Sequence, residues 1–202
     1  MTTSVADQLT ICNSALLKMG ADPITSISGT SRAAVVCNTL YTSILKELLE
    51  AAPWRFALAR VALTPNGTTP TFGYTYTYDV PTDCLRLLRM EDDKIEWVLE
   101  GSVILCDEAT LNLQYIYLND DESTWSFNFR EAFSWRLAME LAICLTQSTT
   151  MKQEFEKSFK EQMALARSYN GVIGTIPGLE ASAWPDARRG NAVWRRTAGQ
   201  TT

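Results

Sequence analysis

The chain has 202 residues, 46% hydrophobic and 20% charged, with a net charge of −5 and no histidine. That length suits one domain, or one domain with a sizeable insertion, able to bury a core without metal or disulfide staples. The missing histidine excludes Ser-His and Cys-His nucleophile pairs and takes away the commonest metal ligand.

Ser4 and Asp7 have capping-box spacing, which predicts a helix start. Val5, Leu9, Cys12, Leu16 and Met19 then repeat at three and four, one apolar stripe closed by Gly20 as C-cap and by Pro23. Ile24 and Ile27 are expected to pin the linker to the core. Thr30 or Ser31 caps a second helix whose stripe is Cys37, Tyr41, Ile44 and Leu48, widened by Leu40, Leu45 and Leu49. Pro53 ends it, and Trp54 and Phe56 follow as large anchors.

Residues 57–118 change period. Tyr74, Tyr76 and Tyr78 alternate with threonines, a signal of period two in good strand formers. Residues 84–90 and 95–101 read as further strands. Gly101-Ser102 fits a tight hairpin turn into 102–107. In 111–118, Leu111, Leu113, Tyr115 and Tyr117 share one face. Five or six short strands are expected, as a small antiparallel sheet or sandwich. The helical period then returns with Phe133, Leu137, Leu141, Cys144 and Leu145. Thr150 and Gln153 predict the cap of a fourth helix striped by Phe155, Phe159, Met163 and Ala166. The expected fold is α+β: a four-helix bundle (1–56 and 119–173), a β insertion (57–118) and an extended C-terminal docking arm (174–202).

The five cysteines, Cys12, Cys37, Cys84, Cys106 and Cys144, show neither C-x-x-C spacing nor an even count. They read as small hydrophobes rather than as a disulfide frame or zinc site. Two acidic runs, Glu91-Asp92-Asp93 and Asp120-Asp121-Glu122, sit between predicted elements and read as solvated turns. Walker, G-x-G-x-x-G and G-x-S-x-G motifs are missing. Neither an enzyme nor a cofactor or metal site is expected. The tyrosine ladder has no interleaved Lys or Arg, so it reads as cross-strand packing rather than a base-stacking platform. No stretch approaches the roughly 20 apolar residues of a membrane span. The arm, with four arginines against Glu180 and Asp186, is the candidate partner-binding segment: Trp184, Pro185, Arg188, Arg189, Trp194, Arg195 and Arg196 are of types enriched at interface hot spots.

The order ICNSALLKMGADPITSI, CNTLY, APWRFALARVAL, YTYDVPTDCLRLL, EAFSWRLAMELAICLTQS and the closing SAWPDAR resembles the phage head-to-tail adaptor family, the tail tubular protein A type of short-tailed phages. The resemblance spans nearly the whole chain and rests on packing residues. It implies a structural virion protein in the neck, assembled in the host cytoplasm as a ring, typically of twelve copies, between the portal protein and the tail nozzle or tail tube. Portal contact would fall on Trp184 to Arg196, and tail contact on loops of 57–118. Genomic DNA would pass through the lumen without sequence-specific binding, and an acidic wall would keep it from sticking. A tail-associated cell-wall hydrolase and a DNA-packaging accessory protein are the alternatives.

Overall fold

Helix α1 (Ser4–Lys18) and helix α2 (Arg32–Glu50) open the computed structural model, which describes residues 4–172. Gly20, at φ 73°, turns the chain out of α1, and Ala21 N–H returns to the Leu16 carbonyl (3.0 Å), the left-handed stop that glycine permits. Asn13 holds the linker in both directions, donating to Ile24 O (3.0 Å) and accepting from Ile24 N–H (2.8 Å). Ile24 and Ile27 are buried, as expected. Ser31 is the N-cap of α2, its hydroxyl accepting from Ala34 N–H. Cys37, Tyr41, Ile44, Leu45, Leu48 and Leu49 are all buried on that helix.

Among the described residues six strands follow: β1 (Leu58–Leu63), β2 (Tyr76–Asp79), β3 (Cys84–Met90), β4 (Trp97–Glu100), β5 (Val103–Cys106) and β6 (Leu111–Tyr117). They form two antiparallel three-stranded sheets, ordered β1-β6-β3 and β2-β5-β4. Gly101, at φ 62°, and Ser102 make the predicted two-residue turn between the paired Glu100 and Val103. Tyr78, Ile104, Cys106, Leu111, Leu113, Tyr115 and Met90 form one core between the sheets, with Tyr117 against it. The tyrosine ladder is therefore turned inward: Tyr78 is fully buried and Tyr76 packs on this core, while Tyr74 precedes the strand.

A one-residue alternation carries β6 into a second core. Ile116, between Tyr115 and Tyr117, faces away from the sandwich and joins the helical core, fully buried. That core is centred on α3 (Phe127–Leu141), capped by Ser126, whose hydroxyl accepts from Phe129 N–H. Phe129 makes edge-to-face contacts with Trp54 and Phe56 (both 4.9 Å between centroids) and Trp125 (5.2 Å). Arg136 joins α3 to α2 with a two-pronged bond to Glu47 (3.0 Å to each oxygen) and a third to Glu140 (2.5 Å). Lys18 joins α1 to α3 through Glu131 (2.9 Å) and lies 4.7 Å from the Trp135 ring centroid.

The α+β class is as expected, but the expected four-helix bundle is not what forms. Helix α3 packs against α1 and α2, and α2 also meets β3 of the first sheet. Helix α4 (Thr149–Val172, 24 residues) turns Phe155, Met163 and Ala166 into the core. A continuous bundle seam of period 3.5 over that length would bury about seven side chains; three are buried. Met151 and Phe159 pack on that core half-buried, and polar ties add to the hold: Asn170 accepts from Arg55 N–H (2.9 Å) and donates to Pro53 O (3.0 Å). Its cap also differs from the expected Thr150. A π-helical turn at Ala142–Thr146 and left-handed Gln147 (φ 56°) reset the chain, and the Ser148 hydroxyl accepts from Met151 N–H (3.3 Å). Cys144 and Leu145 fall on that π turn and are only half-buried.

Candidate interaction surfaces

The seven residues singled out in the arm, Trp184 to Arg196, lie outside the described residues. The surfaces the structure presents belong to the body.

On β3 the period of two fails twice. Cys84 pairs with Tyr117 but Arg86 with Ile116, and Leu87 pairs with Tyr115 but Arg89 with Gln114. Leu85 and Leu88 are the extra residues of two β-bulges. Without a bulge, Arg86 and Arg89 would point to opposite faces. With one at Leu88 they share a face, because their partners Ile116 and Gln114 do. Leu85 and Leu88 pack toward the helical core while Leu87 stays in the sandwich. Arg86 donates to Glu50 O at the end of α2 (2.7 Å).

Beyond Arg86 this face of the first sheet is uncovered. Arg60, Gln114 and Arg89 lie abreast across β1, β6 and β3, and Arg89 Nε donates to Gln114 Oε1 (3.1 Å). Next to them Asn112 donates to Glu91 Oε2 (2.6 Å). They line a shallow cleft of about 340 Å³. Neither Arg60 nor Arg89 forms an ion pair among the described residues. Reading by alternation missed this row; the L-L doublet between Arg86 and Arg89 was the available signal.

The β1–β2 loop is pinned at its base and bare at its tip. Asn66 N–H donates to Thr77 O (2.9 Å), the Asn66 amide to Asp79 (2.8 Å), and Thr75 twice to Asp107 Oδ1 (2.8 Å). Between these ties Phe72 stands 87% exposed.

The acidic runs divide. Asp92 Oδ1 accepts from Lys94 N–H (3.0 Å) in a solvated turn, as expected. In the second run Asp121 caps a short 3-10 turn, but Glu122 departs from expectation. It is buried and accepts from the Tyr41 hydroxyl (3.0 Å), because the aromatic cluster around Trp125 folds that turn against the helices.

The thiols behave as packing groups. Cys12 and Cys37 are fully buried side by side. Their mutual hydrogen bond, then burial, raises the Cys12 thiol, and the same bond lowers Cys37. No group of His, Cys, Asp or Glu among the described residues could hold a metal ion. No described helix is long and apolar enough to cross a membrane.

Tyr78 carries a pH prediction. Burial, with Cys106, Tyr76 and Glu108 adding to it, pushes its phenol from 10.0 up to about 12, and its hydroxyl donates to Glu108 O. Between those values the folded chain keeps a proton that the unfolded chain has lost. Stability therefore falls as pH rises through that window, by up to about 1.4 kcal/mol per pH unit. Tyr115 and Tyr117 are raised by burial too, so Tyr78→Phe should flatten the fall without abolishing it. Urea midpoints from pH 9 to 12 measure this.

The chain matches no family model and has no significant match among curated proteins.

Proposed function

We infer that this chain is a structural virion protein: a head-to-tail adaptor whose copies form a ring joining the portal to the tail and lining the DNA exit channel. One observation carries the reading. Within the described residues, the segments on which the resemblance to the adaptor family rests are those that build the two cores: Cys12, Cys37, Tyr41, Trp54, Tyr78, Phe133 and Leu137 are all buried, while the closing SAWPDAR lies outside those residues. A likeness confined to surface residues would say little about a shared plan; one that runs through both cores in chain order supports a common architecture.

The chemistry of such a protein is contact rather than turnover. Trp184 to Arg196 grip the portal, through two tryptophans and four arginines. The pinned β1–β2 loop, with Phe72 at its tip, offers the next tail component an apolar anchor on a base tied to β2 and Asp107. The chain's net negative charge keeps passing DNA off the wall by like-charge repulsion.

Deleting residues 174–202 tests the reading. The truncated chain is expected to fold, with the far-ultraviolet spectrum of the parent, and to lose attachment to purified portal rings in sedimentation. Normal attachment of the truncated chain would remove the docking assignment. Clearing of peptidoglycan that disappears on Asp120→Asn would replace the adaptor with a cell-wall hydrolase. A salt-dependent shift of short duplex DNA by the intact chain would favour the packaging accessory.

A further inference from the structure

The sandwich has two outer faces, and they carry opposite charge. On the first sheet Arg60, Gln114 and Arg89 lie abreast, one residue from each of β1, β6 and β3. On the second, Asp79, Val103 and Glu100 lie abreast across β2, β5 and β4 in the same way. Each row sets two like charges around a neutral middle residue. In both rows the charged ends are two strand spacings apart, about 9.6 Å.

The pleat turns both rows away from the core between the sheets, because side chains of a strand alternate. Val61, Leu113 and Met90 face that core, each one residue along from Arg60, Gln114 and Arg89. Tyr78 and Ile104 face it one residue from Asp79 and Val103, and Trp97 faces it three residues before Glu100. Arg60, Arg89, Asp79 and Glu100 are all exposed. None of them forms an ion pair among the described residues. Asp79 accepts from the Asn66 amide (2.8 Å) and Arg89 donates to Gln114 (3.1 Å). These neutral bonds orient the side chains and leave their charge uncancelled. On the acidic face the next row inward, Thr77 and Leu105, is buried, so the open part is the end that carries Asp79 and Glu100.

We propose that the outer face of the first sheet in one copy of this chain packs on the outer face of the second sheet in the next copy, Arg60 and Arg89 opposed to Asp79 and Glu100. This deepens the adaptor reading, on which it rests, by naming the contact between neighbours in the ring. The acids that answer the arginines stand in the same chain at the same separation, which favours a second copy over nucleic acid. Glu91, one row from Arg89 and bonded to Asn112 (2.6 Å), and the chain's net charge of −5 both repel phosphate. The two faces are different surfaces, so the contact is heterologous, as a ring larger than a dimer requires. They also look in opposite directions. In a ring of many copies each neighbour is turned only slightly, and its two contact faces must look nearly opposite ways.

Charge reversal in the full chain tests this. The parent should self-associate at low salt in sedimentation equilibrium and dissociate as salt is raised, because exposed pairs are screened. R60E/R89E should weaken association at least tenfold, and D79R/E100R likewise; mixed together, the two should associate again. Glu100 makes no side-chain bond among the described residues, so E100R alone, expected to weaken association severalfold, carries the test even where D79R/E100R loosens the Asn66 tie. In the conservative R60K/R89K variant, carbodiimide should link position 60 or 89 of one copy to Asp79 or Glu100 of another, read by mass spectrometry on mixed unlabelled and isotope-labelled chains. Failure of both rescue and cross-link overturns the contact, as does a parent chain that stays monomeric at low salt. So does loss of duplex DNA binding in R60E/R89E with self-association unchanged, which would make the arginine row a phosphate site. Normal rings of R60E/R89E on purified portal remove the contact and keep the adaptor. Rescued, salt-sensitive association of chains that never attach to a portal keeps the contact and removes the adaptor.

Discussion

Trp54→Ala is expected to cost about 3–5 kcal/mol of folding stability, the range for truncating a large buried aromatic. The side chain is fully buried and sits where α2 ends and the β region begins. Its ring stacks on Phe56 (6.0 Å) and makes an edge-to-face contact with Phe129 (4.9 Å). Its Nε1 donates to Leu48 O (2.6 Å), one of the last carbonyls of α2. The substitution therefore empties a site shared by two helices and leaves a helix-end carbonyl without its partner. Trp54→Phe separates the two effects: it keeps most of the apolar volume, loses the donor, and should cost about 1–3 kcal/mol. Urea unfolding checks both. A lower midpoint at constant slope is expected, since the surface exposed on unfolding hardly changes. A loss under 1 kcal/mol for the alanine variant would mean the cluster repacks around the gap.

Ile116→Ala should cost about 2–5 kcal/mol, and its cost should spread further than its volume suggests. Ile116 is the β6 residue that belongs to the helical core, while Leu111, Leu113 and Tyr115 on the same strand belong to the sandwich. Leu111→Ala removes comparable volume from one core alone and is the control. Native-state amide exchange distinguishes them. Ile116→Ala should lower protection in α2, α3 and β6 together, Leu111→Ala in the strands first. Loss confined to β6 in the Ile116 variant would show that the helical core does not lean on the sheet there.

The elements most legible in the sequence were those whose cause is local. A serine oxygen bonding the third amide onward, a glycine at positive φ and a two-residue turn each need only a few consecutive residues, so Gly20 and Gly101-Ser102 stand where the sequence puts them, and of the two candidate caps Thr30 and Ser31 it is Ser31 that bonds. The alternation of Leu111, Leu113, Tyr115 and Tyr117 was legible because one face of β6 is buried along its length. What failed depends on partners distant in the chain. The stripe of α4 does face the core, but a stripe states that a face is apolar, not how continuously it is met, and so it did not exclude a bundle. Glu122 stands in an acidic run that looks solvated; its burial follows from the folding of Trp125 and Tyr41 around it. The bulges at Leu85 and Leu88 erased the alternation that would have placed Arg86 and Arg89. The uncovered row of Arg60, Gln114 and Arg89 has no local signature, because three strands contribute one residue each.

The bulged β3 has a consequence for the geometry of growth. With that edge and the loop-covered β2 both closed to strand addition, two of the four edges among the described residues, β1 and β4, carry neither a bulge nor a covering loop. Strand addition at two edges could build only chains or closed circles, whereas a free third edge would allow branched networks and precipitation.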